Sequence, residues 1–129
     1  MAVNMQVNLG GLIMPTPVTD ASGTFAAGRE YADFCDVTRM GAITTKGVSL
    51  NGWEGNDAPR IAETPSGMLN SIGLQNPGVA HLCEVDLPWI KEQGVPAIVN
   101  VSGHSLEEYV QVIEALEADG QADAYEINI

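Results

Sequence analysis

The chain of 129 residues is short of positive charge: five Lys and Arg stand against 17 Asp and Glu, for a net charge of −12. A surface of that sign repels phosphate backbones, which argues against nucleic acid as a partner, and it disfavours anionic membranes for the same reason. Long apolar runs are also missing. No segment approaches the ~20 apolar residues needed to cross a bilayer. The opening "MAVNMQVNLGGLIMP" has neither the basic start nor the continuous apolar stretch of a secretory leader. The expected location is the cytoplasm. Cysteine is scarce: Cys35 and Cys83 lie in amphipathic stretches without metal-ligand spacing and read as buried thiols. His81 and His104 belong to no ligand cluster, so no metal site is expected. Neither a G-x-G-x-x-G nor a P-loop is present, so neither Rossmann dinucleotide binding nor a nucleoside triphosphatase is supported.

What is present is a core-forming share of apolar residues, 45%, in a chain of one-domain length. Four apolar or β-branched runs read as strands: "PVTDAS" (17–22), "AITTKG" (42–47), "AIVNVSG" (97–103) and "AYEINI" (124–129). Helical patterns separate them. "REYADFCDVTRM" (29–40) puts Tyr31, Phe34, Cys35 and Thr38 on one face and stops at Gly41. Asn76-Pro77 reads as an N-cap with proline at the first helical position, before Val79, Leu82 and Cys83, with Pro88 breaking or bending that helix. "SLEEYVQVIEALEADG" opens on the capping-box spacing of Ser105 and Glu108, carries Tyr109, Val112, Ile113 and Leu116 as a stripe, and closes at Gly120. The first ~14 residues read as a hairpin around Gly10-Gly11. Alternating strand and helix is the pattern of a parallel α/β sheet. Four such units are half of a (β/α)8 barrel, which typically needs ~250 residues. The last strand pattern runs to the final residue, so the expected fold is an N-terminal half-barrel over residues 1–129, with an N-terminal β-hairpin and the C-terminal half absent.

Polar residues gather near the C-terminal ends of these strands, the face that carries function in parallel α/β folds. They are Ser22, Thr45-Lys46, Asn100 to Ser102, and Asn128. Strand ends also turn polar where they meet loops, so any one of these alone decides little. Lys46 is one of two lysines in an acidic chain; it either holds an anionic ligand group or snorkels into solvent. Ser22-Gly23 either admits a flat or phosphorylated ligand close to the backbone or makes a tight turn. Asn100 and Asn128 cost free energy in a strand unless hydrogen-bonded, either by the rim of a planar heterocycle or by neighbouring loops. "PSGMLNSIGLQNPG" (65–78) is uncharged, polar and kinked. It reads as a lid-like loop in which Asn70, Ser71 and the backbone of Ile72, Gly73 and Leu74 present uncharged donors and acceptors to a small imide-like molecule.

"ASGTF", "GAITTKG", "PRIAETPSGMLNSIGLQNPG", "NVSG.S.EEY" and the terminal "EINI" together resemble the class 1B dihydroorotate dehydrogenases, in order and separation, across essentially the whole chain. The Gln in "GLQNPG" favours class 1B over class 1A. The resemblance implies a (β/α)8 barrel with FMN that oxidises dihydroorotate to orotate in pyrimidine synthesis. It implies a heterotetramer, in which an FAD- and 2Fe-2S-containing subunit passes electrons to NAD+. It also implies that Ser22, Thr45, Lys46, Gly47, Asn100 and Asn128 bind the cofactor, and that Lys46, Asn70, Ser71, Ile72, Gly73, Leu74 and Asn128 bind the substrate. In the family the cysteine general base follows "NI", so it is expected just after Ile129 and this chain alone is expected to be inactive. Two alternatives stay open: a non-catalytic fragment that folds only by association, and a related FMN barrel acting on another pyrimidine.

Overall fold

A computed structural model describes residues 3–129. At its centre lies β6 (Ala97–Val101), flanked by β3 (Ile43–Thr44) and β7 (Ala124–Ile127), and both pairings are parallel. β6 is buried at Ala97, Val99, Asn100 and Val101, as expected of a central strand covered on both faces. The β6/β7 register sets Asn100 against Glu126 and Val101 against Ile127. Two antiparallel pairs stand apart from this sheet: β1 (Val7–Leu9) with β2 (Leu12–Met14), and β4 (Ile61–Thr64) with β5 (Gly67–Asn70).

Two expected elements are replaced. Residues 17–22 run alongside β3 but form no strand of their own. Thr19 bridges Ala42, the Gly41 N–H donates to the Val18 carbonyl, and the Asp20 carboxylate takes the Thr44 N–H at 2.8 Å. Pro15 and Pro17 have no N–H to give a ladder, and a side chain stands in for the next carbonyl. Residues 29–40 are not an α-helix. They hold two 3₁₀ turns, Arg29–Tyr31 and Val37–Arg39, with Asp36 extended between them and accepting from the Thr38 N–H. A local side-chain acceptor competes with the helical ladder, and Asp36 wins here. The supposed apolar face is therefore outside: Tyr31, Phe34, Cys35 and Thr38 are exposed, so Cys35 is not the buried thiol expected of it.

The remaining helices pack on the sheet. In the first, α1 (Val79–His81) runs through a π-helical segment (Leu82–Asp86) into α2 (Leu87–Glu92). Pro88 has no N–H for the preceding turn, and instead of breaking the helix it sits just after this widened turn. The carbonyls of Val85 and Cys83 accept from Arg29 and Gln121 side chains. Asn76 is not itself the N-cap: Gly78 occupies that position, and the buried Asn76 Oδ1 accepts from its N–H at 3.0 Å. α3 (Leu106–Asp119) begins as expected, with the Ser105 hydroxyl accepting from the Glu108 N–H, and ends at left-handed Gly120. Glu108 reaches back to the N–H of His104 and also takes the N–H of Leu50, which fastens this helix to the segment after β3. Val112 and Leu116 of α3, with Leu82, Leu87 and Ile90, close the core over Val99 and Val101. No helix among the described residues is long and apolar enough to cross a membrane.

Candidate functional site

The ends of β3, β6 and β7 bring most of the expected cofactor residues into one hydrogen-bonded group. Asn100 is its hub and is only 2% exposed. Its Nδ2 donates to the Ser22 hydroxyl at 3.3 Å and to Glu126 Oε1, and its Oδ1 accepts from Asn128 Nδ2 at 3.3 Å. Three separate stretches of chain thus meet on one carboxamide, because parallel pairing puts strand positions 100 and 126 side by side. Asn128 is held from behind as well, its carbonyl accepting from the Tyr109 hydroxyl of α3.

Thr45, Lys46 and Gly47 follow β3. The buried Thr45 hydroxyl accepts from the Asn100 N–H at 3.3 Å and donates to the Lys46 carbonyl at 3.1 Å, so it is engaged with backbone. Lys46 is half-buried, and its Nζ lies 3.2 Å from where a Cβ on Gly23 would stand. A side chain at Gly23 would crowd this ammonium, and the residue's φ of 76° also suits glycine. Gly47 has the same logic: a Cβ there would fall 2.6 Å from Asn100 Oδ1. Next to it is a group with no partner, since the Ser102 hydroxyl is buried and makes no hydrogen bond among the described residues.

The expected substrate loop is organised differently from a free lid. Residues 67–70 are strand β5, and Asn70 pairs with Ile61 in a hairpin that is exposed throughout. That stretch carries no inward-facing alternation, so sequence gave no sign of it. Beyond it, the Ser71 N–H donates to Arg60, the Ser71 carbonyl accepts from Asn56 Nδ2, and the Ile72 carbonyl accepts from the Asn56 N–H. Gly73 and Leu74 both have positive φ, 78° and 56°. The Leu74 carbonyl is taken by Asn76 Nδ2, and Asn76 in turn receives Ser49 through both its N–H and hydroxyl. The Asn70 and Ser71 side chains make no hydrogen bond among the described residues, and none joins this loop to Ser22, Lys46, Asn100 or Asn128.

Two polar residues that sequence reading passed over lie beside this cluster. Glu126 is described above; the other, Asp20, keeps one carboxylate oxygen buried without a partner among the described residues. Burial pushes its pKa up, hydrogen bonds from Thr44 and its own backbone oppose that, and nearby Glu126 adds to it. An acid within an apolar strand, as in "YEINI", was the available signal for Glu126. A cavity of about 220 Å³ borders Thr45 and Lys46, but its other walls include Glu30, Asn76, His81 and Asp86 and none of Ser22, Asn100, Glu126 or Asn128. The hydrogen-bonded cluster, and not this cavity, brings Ser22, Asn100 and Asn128 together. No group of three His, Cys, Asp or Glu suited to a metal occurs among the described residues.

Compared with known families, residues 4–129 match the one described as dihydroorotate dehydrogenase. The chain is 47% identical over 127 residues to the dihydroorotate dehydrogenase B (NAD(+)), catalytic subunit, of Alkaliphilus metalliredigens, and 53% identical over 127 residues to that of Lachnoclostridium phytofermentans. Each match takes in 98% of this chain and 42% of the relative. The protein of the same description from Desulforamulus reducens is 52% identical over 130 residues. The chain therefore spans 42% of the length of these relatives.

Proposed function

The chain belongs to the dihydroorotate dehydrogenase family, and on that premise we propose that it is the N-terminal part of an FMN-dependent class 1B catalytic subunit. In this reading residues 1–129 supply the first half of a (β/α)8 barrel, and the complete subunit oxidises dihydroorotate to orotate in the cytoplasm. Electrons leave through an FAD- and 2Fe-2S-containing partner in a heterotetramer, with NAD+ as final acceptor. The observation that carries the proposal is the Ser22–Asn100–Asn128 chain beside Lys46, at the C-terminal ends of parallel strands.

The residues present fit a flavin. Ser22, Thr45, Asn100 and Asn128 offer neutral amides and hydroxyls beside the Lys46 cation, with the Glu126 carboxylate bonded to Asn100, and amides and hydroxyls suit the rim of a planar heterocycle. A side chain at Gly47 would strike Asn100 Oδ1 and one at Gly23 would crowd Lys46 Nζ, so both glycines keep these two groups in place, and the buried Ser102 hydroxyl near Gly47 has no partner among the described residues. FMN, when bound, supplies the hydride acceptor. Lys46 holds positive charge against the ring and the substrate, where a partly dry setting makes it count for more than in water. Asn100 and Asn128 orient the ligands by their amides, and Asn128 reaches both cofactor and substrate. Asn70, Ser71 and the N–H groups of Ile72, Gly73 and Leu74 bind the substrate. The general base is the cysteine expected after Ile129.

The test is anaerobic addition of dihydroorotate to a full-length protein carrying this sequence. Bleaching of the flavin absorbance, one FMN per chain, supports the proposal; a protein that retains FMN and is not bleached contradicts it, and points to another pyrimidine. A second reading has its own observation. Ile127 lies exposed on β7, an edge strand whose outer side has no partner among the described residues. Such an edge favours association, so the 129-residue chain alone would be non-catalytic and fold only with a partner.

A further inference from the structure

The Asn100 carboxamide can sit either way round, and what it touches decides which. Ser22 contributes a hydroxyl, which donates or accepts, and Asn128 contributes a carboxamide, which can present either end. Neither contact distinguishes the nitrogen of Asn100 from its oxygen. Glu126 does. An ionised carboxylate only accepts, and the β6/β7 register holds it opposite Asn100, where it takes a hydrogen from Nδ2. Glu126 is exposed but Asn100 is only 2% exposed, so the reversed amide would turn its oxygen toward the carboxylate and lose the Nδ2 donation, with water able to reach only the Glu126 side.

Resting on the flavin reading above, we infer that Glu126 is a positioning residue that sets the direction of the Ser22–Asn100–Asn128 hydrogen-bond chain, and so decides which of its ends donates to the cofactor. The consequence follows link by link. Nδ2 is directed to Glu126 and Ser22, so the Ser22 oxygen accepts and its own hydrogen is free for a ligand. Asn100 Oδ1 accepts from Asn128 Nδ2, which leaves the Asn128 side-chain oxygen Oδ1 and one side-chain N–H available. The site thus asks for an acceptor at the Ser22 end and a donor–acceptor pair at the Asn128 end, as on the rim of a flavin heterocycle. With the amide reversed, Ser22 would spend its hydrogen on Asn100 and the complementarity would invert.

Glu126→Gln in the full-length protein tests this, because glutamine keeps the shape but donates as well as accepts. FMN affinity, read by flavin fluorescence, is expected to weaken about tenfold, the scale of one misdirected hydrogen bond. The Asn100 side-chain amide resonances are expected to shift or split, and Glu126→Asp, which keeps an acceptor-only group, to retain most of the affinity. In an Asn100→Ala background Glu126→Gln should have no further effect on affinity. Unchanged affinity and unchanged Asn100 resonances in Glu126→Gln would overturn the inference, as would an equal loss in the Asn100→Ala background. If the unmutated protein takes up no FMN, the flavin reading fails, and the Asn100 resonances alone then decide for or against Glu126.

Discussion

Asn128 donates its side-chain amide to Asn100 Oδ1 at 3.3 Å while its backbone N–H donates to the Val101 carbonyl at 2.9 Å, so side chain and backbone both tie the last described residues to the middle of the sheet. Truncating Asn128 to alanine leaves a buried carbonyl oxygen on Asn100 without its donor. The expected cost is roughly 1–3 kcal/mol in stability, with a clear loss of FMN affinity in the full-length protein. Chemical denaturation and flavin titration measure the two effects separately.

Lys46→Ala in the full-length protein should remove most turnover. Of the residues grouped at the strand ends it alone carries positive charge, so its loss is expected to raise the barrier by a few kcal/mol, roughly a hundredfold or more in rate. Near-normal turnover with intact FMN content would make Lys46 a strand-end residue and nothing more.

Gly47→Ala sets a Cβ 2.6 Å from Asn100 Oδ1, well inside contact distance. Asn100 is held by Ser22, Glu126 and Asn128 and cannot step aside without giving up at least one of them. We expect destabilisation of about 1–3 kcal/mol, as for other overpacked sites, and loss of FMN. A variant with wild-type melting temperature and affinity would show that the strand end yields more easily than its hydrogen bonds indicate.

Asp20 makes folding depend on pH. Its folded value lies above the ordinary 3.8, chiefly because burial disfavours the carboxylate. The folded chain therefore holds this proton more tightly than the unfolded chain. The stabilisation is complete below 3.8 and is lost as pH rises through the raised folded value. Asp20→Asn removes this dependence while keeping an oxygen for the Thr44 N–H. Melting temperatures of the two proteins between pH 3 and 7 should therefore move in the variant's favour as pH increases.

The two thiols should differ in reactivity. Cys35 is exposed, whereas burial, Asp119 and Glu84 push the Cys83 pKa up to about 11. At pH 8 roughly a thousandth of Cys83 is thiolate, the form that reacts. Limited iodoacetamide treatment followed by peptide mass spectrometry should find Cys35 modified well before Cys83. The reverse order would mean that residues 29–40 are covered in solution.

The sheet and α3 were legible because their burial matches their pattern. β6 and β7 are short apolar runs that pair as expected, and Ser105, Val112, Leu116 and Gly120 sit where capping and helical period put them. The stretch 29–40 misled for the opposite reason: its apolar residues recur at helical spacing, yet Phe34 is 85% exposed, so no burial rewards the helix. The hairpin of β4 and β5 was illegible because every residue in it is exposed and alternation carries no information there. Within the site, residue types pointed to Ser22, Lys46, Asn100 and Asn128. Glu126 and Asp20 emerge only once strand register sets them beside Asn100 and Thr44.

The π-helical segment at Leu82–Asp86 changes the arithmetic of the helix that contains it. Leu82 and Leu87 are both buried although five positions apart, a spacing that turns about 140° around a regular α-helix. The wide turn absorbs one surplus residue, so a single stripe continues from Val79 and Leu82 into Leu87 and Ile90. Chain length is therefore adjustable here by one. Deleting one residue between Cys83 and Asp86, with Pro88 replaced by alanine, should yield an uninterrupted α-helix with the same residues facing the sheet. The same deletion inside α3, which has no surplus residue to absorb it, would turn every residue beyond it by about 100° relative to those before. Circular dichroism and melting temperature would separate the tolerated shortening from the disruptive one.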